Sequence, residues 1–154
     1  MKRFYLVIVL AAILLFSVSC QKNINSHDLL EDFLESYGAE GIVYYSGAKE
    51  GEHGYITAEL FKKIYVYSGN IPENYAIYLN AHADATSECG VFVIKDELMR
   101  DSIEEMCLER IRLLTHGDGR GWLGRYKNTV FYSTMTDPDR VKDIWKSTLK
   151  YHAK

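Results

Sequence analysis

The chain has 154 residues, with 18 Lys and Arg against 21 Asp and Glu, a formal net charge of −3. No Lys/Arg cluster is long enough to track a phosphate backbone, so the composition disfavours nucleic acid as a partner. At 47% hydrophobic and 25% charged, the chain is built to fold as one domain around a single core.

The first segment, "MKRFYLVIVLAAILLFSVSC", places Lys2 and Arg3 before an apolar run at residues 4–16, then small residues leading to Cys20. That order of charge, apolar run and small residues is a secretory signal. The run is short for a membrane span, which takes about 20 residues, and a signal-anchor helix is the alternative. With Ser19 and Val18 before the cysteine, the segment resembles a bacterial lipoprotein signal, although Ser17 stands where that motif usually carries Leu. The resemblance implies cleavage before Cys20 and acylation of its thiol. An ordinary secretory signal with a chance cysteine is the other reading. More than one acyl chain is needed for stable anchorage, and a diacylated or triacylated Cys20 supplies that. The expected division is a signal peptide at 1–19, a lipidated Cys and tether at 20–25, and one domain at 26–154. Loss of Lys2 and Arg3 leaves a net charge of −5.

In the mature chain, Ser26 is the expected N-cap of a helix carrying Leu29, Leu30, Phe33 and Leu34, closed by Gly38. Residues 41–46 read as a strand, 47–54 as a loop, and Thr57 as the cap of a short helix with Leu60, Phe61 and Ile64, whose tail "IYVYSG" reads equally well as a strand. In "NYAIYLNAHAD", Tyr75, Ile77 and Leu79 alternate with Tyr78, Asn80, His82 and Asp84, which are expected to face outward. "CGVFVIK" reads as an interior strand. Asp96 then caps a long helix to about residue 116, a glycine-rich corner follows, and a strand starts near Asn128. Asp137 and Pro138 open the last helix. The order ββαβα from Tyr75 onward predicts an α+β fold, a mainly antiparallel sheet of about four strands with helices packed on one face.

The stretch "NYAIYLNAHADATSECGVFVIKD…IEEMCLERIRLL" resembles an uncharacterised domain of small Gram-positive lipoproteins. Glu88, Val91, Phe92, Lys95, Asp96, Met106, Cys107, Leu108, Arg110 and Ile111 carry the likeness, within a family-like region of about 59–149. It implies location and fold, and no catalytic residues.

Candidate chemistry is sparse, and HExxH, GxSxG and CxxC are absent. Gly119, Gly121 and Gly124 have the spacing of a nucleotide-binding loop, but a helix precedes them and a strand follows. A phosphate there would meet a helix C-terminus, whose carbonyls repel it. The corner is therefore expected to be a connector, with Arg120 and Trp122 on a mobile tip as a contact surface. Tyr78, His82 and Asp84 are the other candidates for a binding surface. His82 and Asp84 could instead share a metal or act as a base with His53 or His116, which is the alternative reading of an envelope hydrolase or metal-dependent enzyme. Cys89 and Cys107 are an even pair outside the cytoplasm, expected either as a disulfide or as two buried thiols. No cofactor is expected. The leading expectation is a non-catalytic binding module on the extracytoplasmic face of the cell membrane. It would be held by the lipid on Cys20 and would contact an envelope protein or a cell-wall polymer.

Overall fold

The computed structural model describes residues 24–80 and 87–152. Cys20, His82 and Asp84 lie outside the described residues. Helix α1 (Ser26–Tyr37) is followed by β1 (Ile42–Tyr45), α2 (Ala58–Tyr65), β2 (Asn74–Leu79) and β3 (Glu88–Val93). A 3-10 turn (Glu97–Met99) leads into α3 (Arg100–Thr115), then β4 (Trp122–Tyr126), β5 (Thr129–Ser133) and α4 (Pro138–His152). The fold is α+β, with a five-stranded antiparallel sheet in the order β1-β2-β3-β5-β4. No helix among the described residues is long and apolar enough to cross a membrane.

Local signals set most boundaries. Asn25, not Ser26, caps α1, its side-chain oxygen accepting from His27 N at 2.9 Å. Gly38 closes that helix at φ +76°, a conformation that costs glycine nothing. Thr57 caps α2 by accepting from Leu60 N. Asp96 caps the 3-10 turn that feeds α3 rather than α3 itself. Asp137 accepts from Arg140 N at the start of α4.

The helices lie on both faces of the sheet, which corrects the expectation of a single covered face. Alternation along the strands divides the core in two. Ala76, Tyr78, Cys89, Val91 and Phe131 face α1 and α4, meeting Leu29, Leu30, Phe33, Val141 and Trp145. Tyr75, Ile77, Phe92, Val130 and Tyr132 face α2 and α3, meeting Phe61, Tyr65, Ile103, Met106 and Cys107. On the first side Phe131 is clasped by aromatics, with Trp145 stacked at 4.1 Å between ring centroids and Phe33 edge-on at 5.0 Å. Both sets of strand residues are apolar, so neither face could remain in water.

The two-sided core also settles the cysteines. Cys89 is on the α1/α4 side, Cys107 on the α2/α3 side, and both are free and fully buried. The sheet separates them, so of the two readings the pair of buried thiols is the one the structure has.

Candidate functional site

The strand register gives the sheet two distinct ends. Tyr45, Asn74, Val93, Thr129 and Tyr126 mark the end near Ile24, termed proximal; Ile42, Leu79, Glu88, Ser133 and Trp122 mark the distal end. The described residues on either side of the His82/Asp84 connector, Asn80 and Ser87, lie at the distal end. So do Arg120 and Trp122. His116 closes α3 beside that same corner, at φ +49°. His53 instead belongs to the turn that returns to Tyr45, whose N donates to Gly54 O. It thus follows the opposite end of β1 from the connector.

Two candidate contact residues differ from expectation. Tyr78 is 3% exposed, because its side of the sheet is roofed by α1, and its hydroxyl donates to Glu40 O at 2.9 Å. Trp122 is not on a loop tip. It opens edge strand β4, half-buried, with its ring 5.7 Å from that of Phe131. Arg120 bonds Asp118 through Nε at 2.6 Å.

The GxGxxG spacing has a packing explanation. Gly119 adopts φ +85° in the turn after α3. A Cβ at Gly121 would overlap Ile111 of α3, and one at Gly124 would strike the Trp122 ring. Gly121 lets the chain enter the edge strand close against α3, and Gly124 leaves room for the Trp122 ring. They do not form an anion cradle.

Sequence reasoning missed the most ordered polar constellation, which is internal. Glu88, 2% exposed at the start of β3, is gripped by Arg110 of α3, with Nε to Oε1 at 2.6 Å and Nη2 to Oε2 at 2.7 Å. Arg110 Nη1 donates to Ile64 O at 3.0 Å, tying in the end of α2. Tyr132 donates to Glu88 Oε1 at 2.7 Å, so the 2.8 Å contact between the two phenols has Tyr65 donating to Tyr132. Burial works against the Arg110 charge, but the Glu88 carboxylate more than offsets this and raises its pKa. Burial, reinforced by Glu88, pushes both tyrosines well above the usual phenol range. The Cys107 thiol is raised by burial and then by Glu104 and Glu88. Such a thiol stays protonated and is a poor nucleophile. Two carboxylate oxygens, a fork of donors and two phenols are thus spent on one another. The signal for this pair was an acid opening an interior strand and an arginine beside an apolar helical stripe.

Among the described residues, two depressions besides a shallow one between α1 and α4 bear on binding. A distal cleft of about 330 Å³ is lined by Gly38, Glu40, Tyr78, Asn80, Met135 and Thr136, among others. Its side chains offer amide, hydroxyl and carboxylate groups without a cation. A wider groove of about 570 Å³ runs between the end of α2 and α3, flanked by Val66 and Leu108, which are 76% and 51% exposed. His27, Asp28 and Glu31 can bring three ligand atoms within 4.8 Å in the first turn of α1, but the two carboxylates are solvated and His27 leans on the Tyr45 ring at 3.9 Å. No family model, curated protein or solved structure matches the chain.

Proposed function

We propose that this protein is a non-catalytic binding module, lipid-anchored through Cys20 on the extracytoplasmic face of the cell membrane, of the kind found in small Gram-positive lipoproteins. The observation that carries the binding half is the division of its polar groups. Those with the greatest chemical potential, Glu88, Arg110, Tyr132 and Tyr65, saturate each other inside the domain. What opens to solvent includes the distal cleft, with amide, hydroxyl and Glu40 carboxylate groups, and the groove beside α3, where Glu105, Glu109 and Arg112 rim apolar surface. Shape, apolar contact and a few placed polar groups are what partner recognition uses. The anchoring half rests on the signal-like segment and Cys20. The partner is an envelope protein or a cell-wall polymer.

The test is fractionation combined with retention on isolated envelope. The full chain is expected in the membrane fraction, and its Cys20→Ala form in the soluble fraction with an unchanged melting temperature. A Thr136→Arg form, which places a cation at the cleft rim, is expected to fold normally and to lose binding to envelope material. Membrane retention of the Cys20→Ala form, or envelope hydrolysis by the purified protein, would contradict the reading.

A further inference from the structure

We infer that the proximal end of the sheet is held against the lipid headgroups and that the distal end, with its cleft, is presented away from the bilayer. The inference rests on the proposed acylation of Cys20 and adds an orientation to it. It starts from one amide. Asn74, the first residue of β2, donates from Nδ2 to Ile24 O at 2.9 Å and accepts from Ser26 N at 3.1 Å. Two bonds from a single side chain thus fix the backbone where it joins the domain, and fix it at the proximal end. From Cys20 to Ile24 the chain advances four residues, a reach of at most about 14 Å when fully extended. The domain is therefore docked close to the anchor by a defined end.

The sheet geometry then places the rest. Strands lie about 4.8 Å apart, so Tyr126, three strands across from Asn74, is roughly 14 Å to the side at the same end. Beside it, Lys127 makes the β4–β5 turn at φ +50°, exposed, with its Nζ 5.4 Å from the Tyr126 ring centre. An ammonium beside a half-buried tyrosine is chemistry suited to the headgroup layer. Lys95 stands at the same end, paired with Glu73 at 2.6 Å. The distal end is farther away by the length of β2, about 17 Å for five residue steps. Charge does not rank the poses, since α1 presents Asp28, Glu31, Asp32 and Glu35 while the proximal end carries exposed Glu73, Asp96 and Glu97 beside Lys95 and Lys127. The orientation rests on the short reach from Cys20 and the two Asn74 bonds. Leaning on α4, whose Lys146 and Lys150 are exposed, is the competing pose.

The experiment reconstitutes the acylated mature chain, beginning at Cys20, into vesicles of phosphatidylglycerol and phosphatidylethanolamine that carry a headgroup-level quencher lipid. Cys89 and Cys107 are buried, so a fluorophore reports from one introduced thiol at a time: Lys127→Cys, Thr136→Cys or Lys146→Cys. Quenching several-fold stronger at position 127 than at 136 and 146 is expected, and Asn74→Ala should narrow that difference by freeing the junction. Equal quenching at 127 and 136 would overturn the orientation, as would the strongest quenching at 146. Both results leave the chain vesicle-bound, so the anchor would stand. A chain that does not float with the vesicles would overturn the anchor reading and the orientation with it.

Discussion

Glu88 and Arg110 form a two-point ion pair between the first residue of β3 and the middle of α3, with both donor distances at or below 2.7 Å. The carboxylate is almost completely enclosed, and Tyr132 occupies the remaining approach to Oε1. Removing one member strands the other without water. Arg110→Met is therefore expected to destabilise the domain by about 3–5 kcal/mol, as seen when buried pairs are broken from one side. Arg110→Lys should not rescue it, because a point charge cannot replace the fork. Adding Glu88→Gln to Arg110→Met should recover part of the loss. Urea melts of the single and double variants measure each value.

Four buried groups make stability sensitive to alkali. Burial holds Cys89, Cys107, Tyr65 and Tyr132 well above their ordinary values. The unfolded chain releases these protons at lower pH than the folded one, so the unfolded state binds fewer protons there. Their contribution is full below the unfolded thiol value of about 8.5 and declines as pH rises through that value and then through about 10 for the phenols. Melting temperature should fall progressively above that first threshold. Native protein should also leave both thiols unreactive toward a soluble disulfide until denaturant is added.

Val66 ends α2 in the left-handed region at φ +50° and ψ +44°, a poor conformation for a β-branched residue, with its side chain mostly in water. Val66→Gly is expected to relieve about 1 kcal/mol of strain and to raise the melting temperature, although it removes apolar surface. If the groove beside α3 is part of the binding surface, the same variant should bind envelope material less well while being more stable. Calorimetry and a retention assay read the two effects separately.

At the glycine corner the expected effects are on stability and not on nucleotide affinity. Gly121→Ala drives a methyl into Ile111 and should cost about 1–3 kcal/mol. Trp122→Ala removes a half-buried ring from Phe131 and should cost about 2 kcal/mol or more. A thermal-shift series with ATP or NAD should leave the wild-type melting temperature unchanged.

Legibility in the sequence followed local chemistry. The Gly38 stop, the Thr57 cap and the Asp137–Pro138 start are each set by one or two residues, and they stand as read. The class of fold also stands. What escaped depends on contacts between distant residues. β4 looked like a turn because "GWLG" is rich in glycine, yet Gly121 is what lets the chain pass close to α3 and Gly124 what makes room for the Trp122 ring. Tyr78 looked outward because alternation assigns a side but does not say whether that side is roofed. Cys89 and Cys107 stayed open between a disulfide and two buried thiols, because the sequence does not say which side of the sheet α3 covers. Glu88 and Arg110 were each visible, 22 residues apart, but only the packing of α3 over β3 brings them together.

The central claim is that Cys20 carries the protein to the membrane. It is tested most directly by growing cells that express the full chain with a clickable fatty acid, then identifying the labelled residue by mass spectrometry. The account predicts acyl label on Cys20 at the new N-terminus and none on the Cys20→Ala chain. A full-length chain recovered from the envelope with an unmodified Cys20 would contradict it.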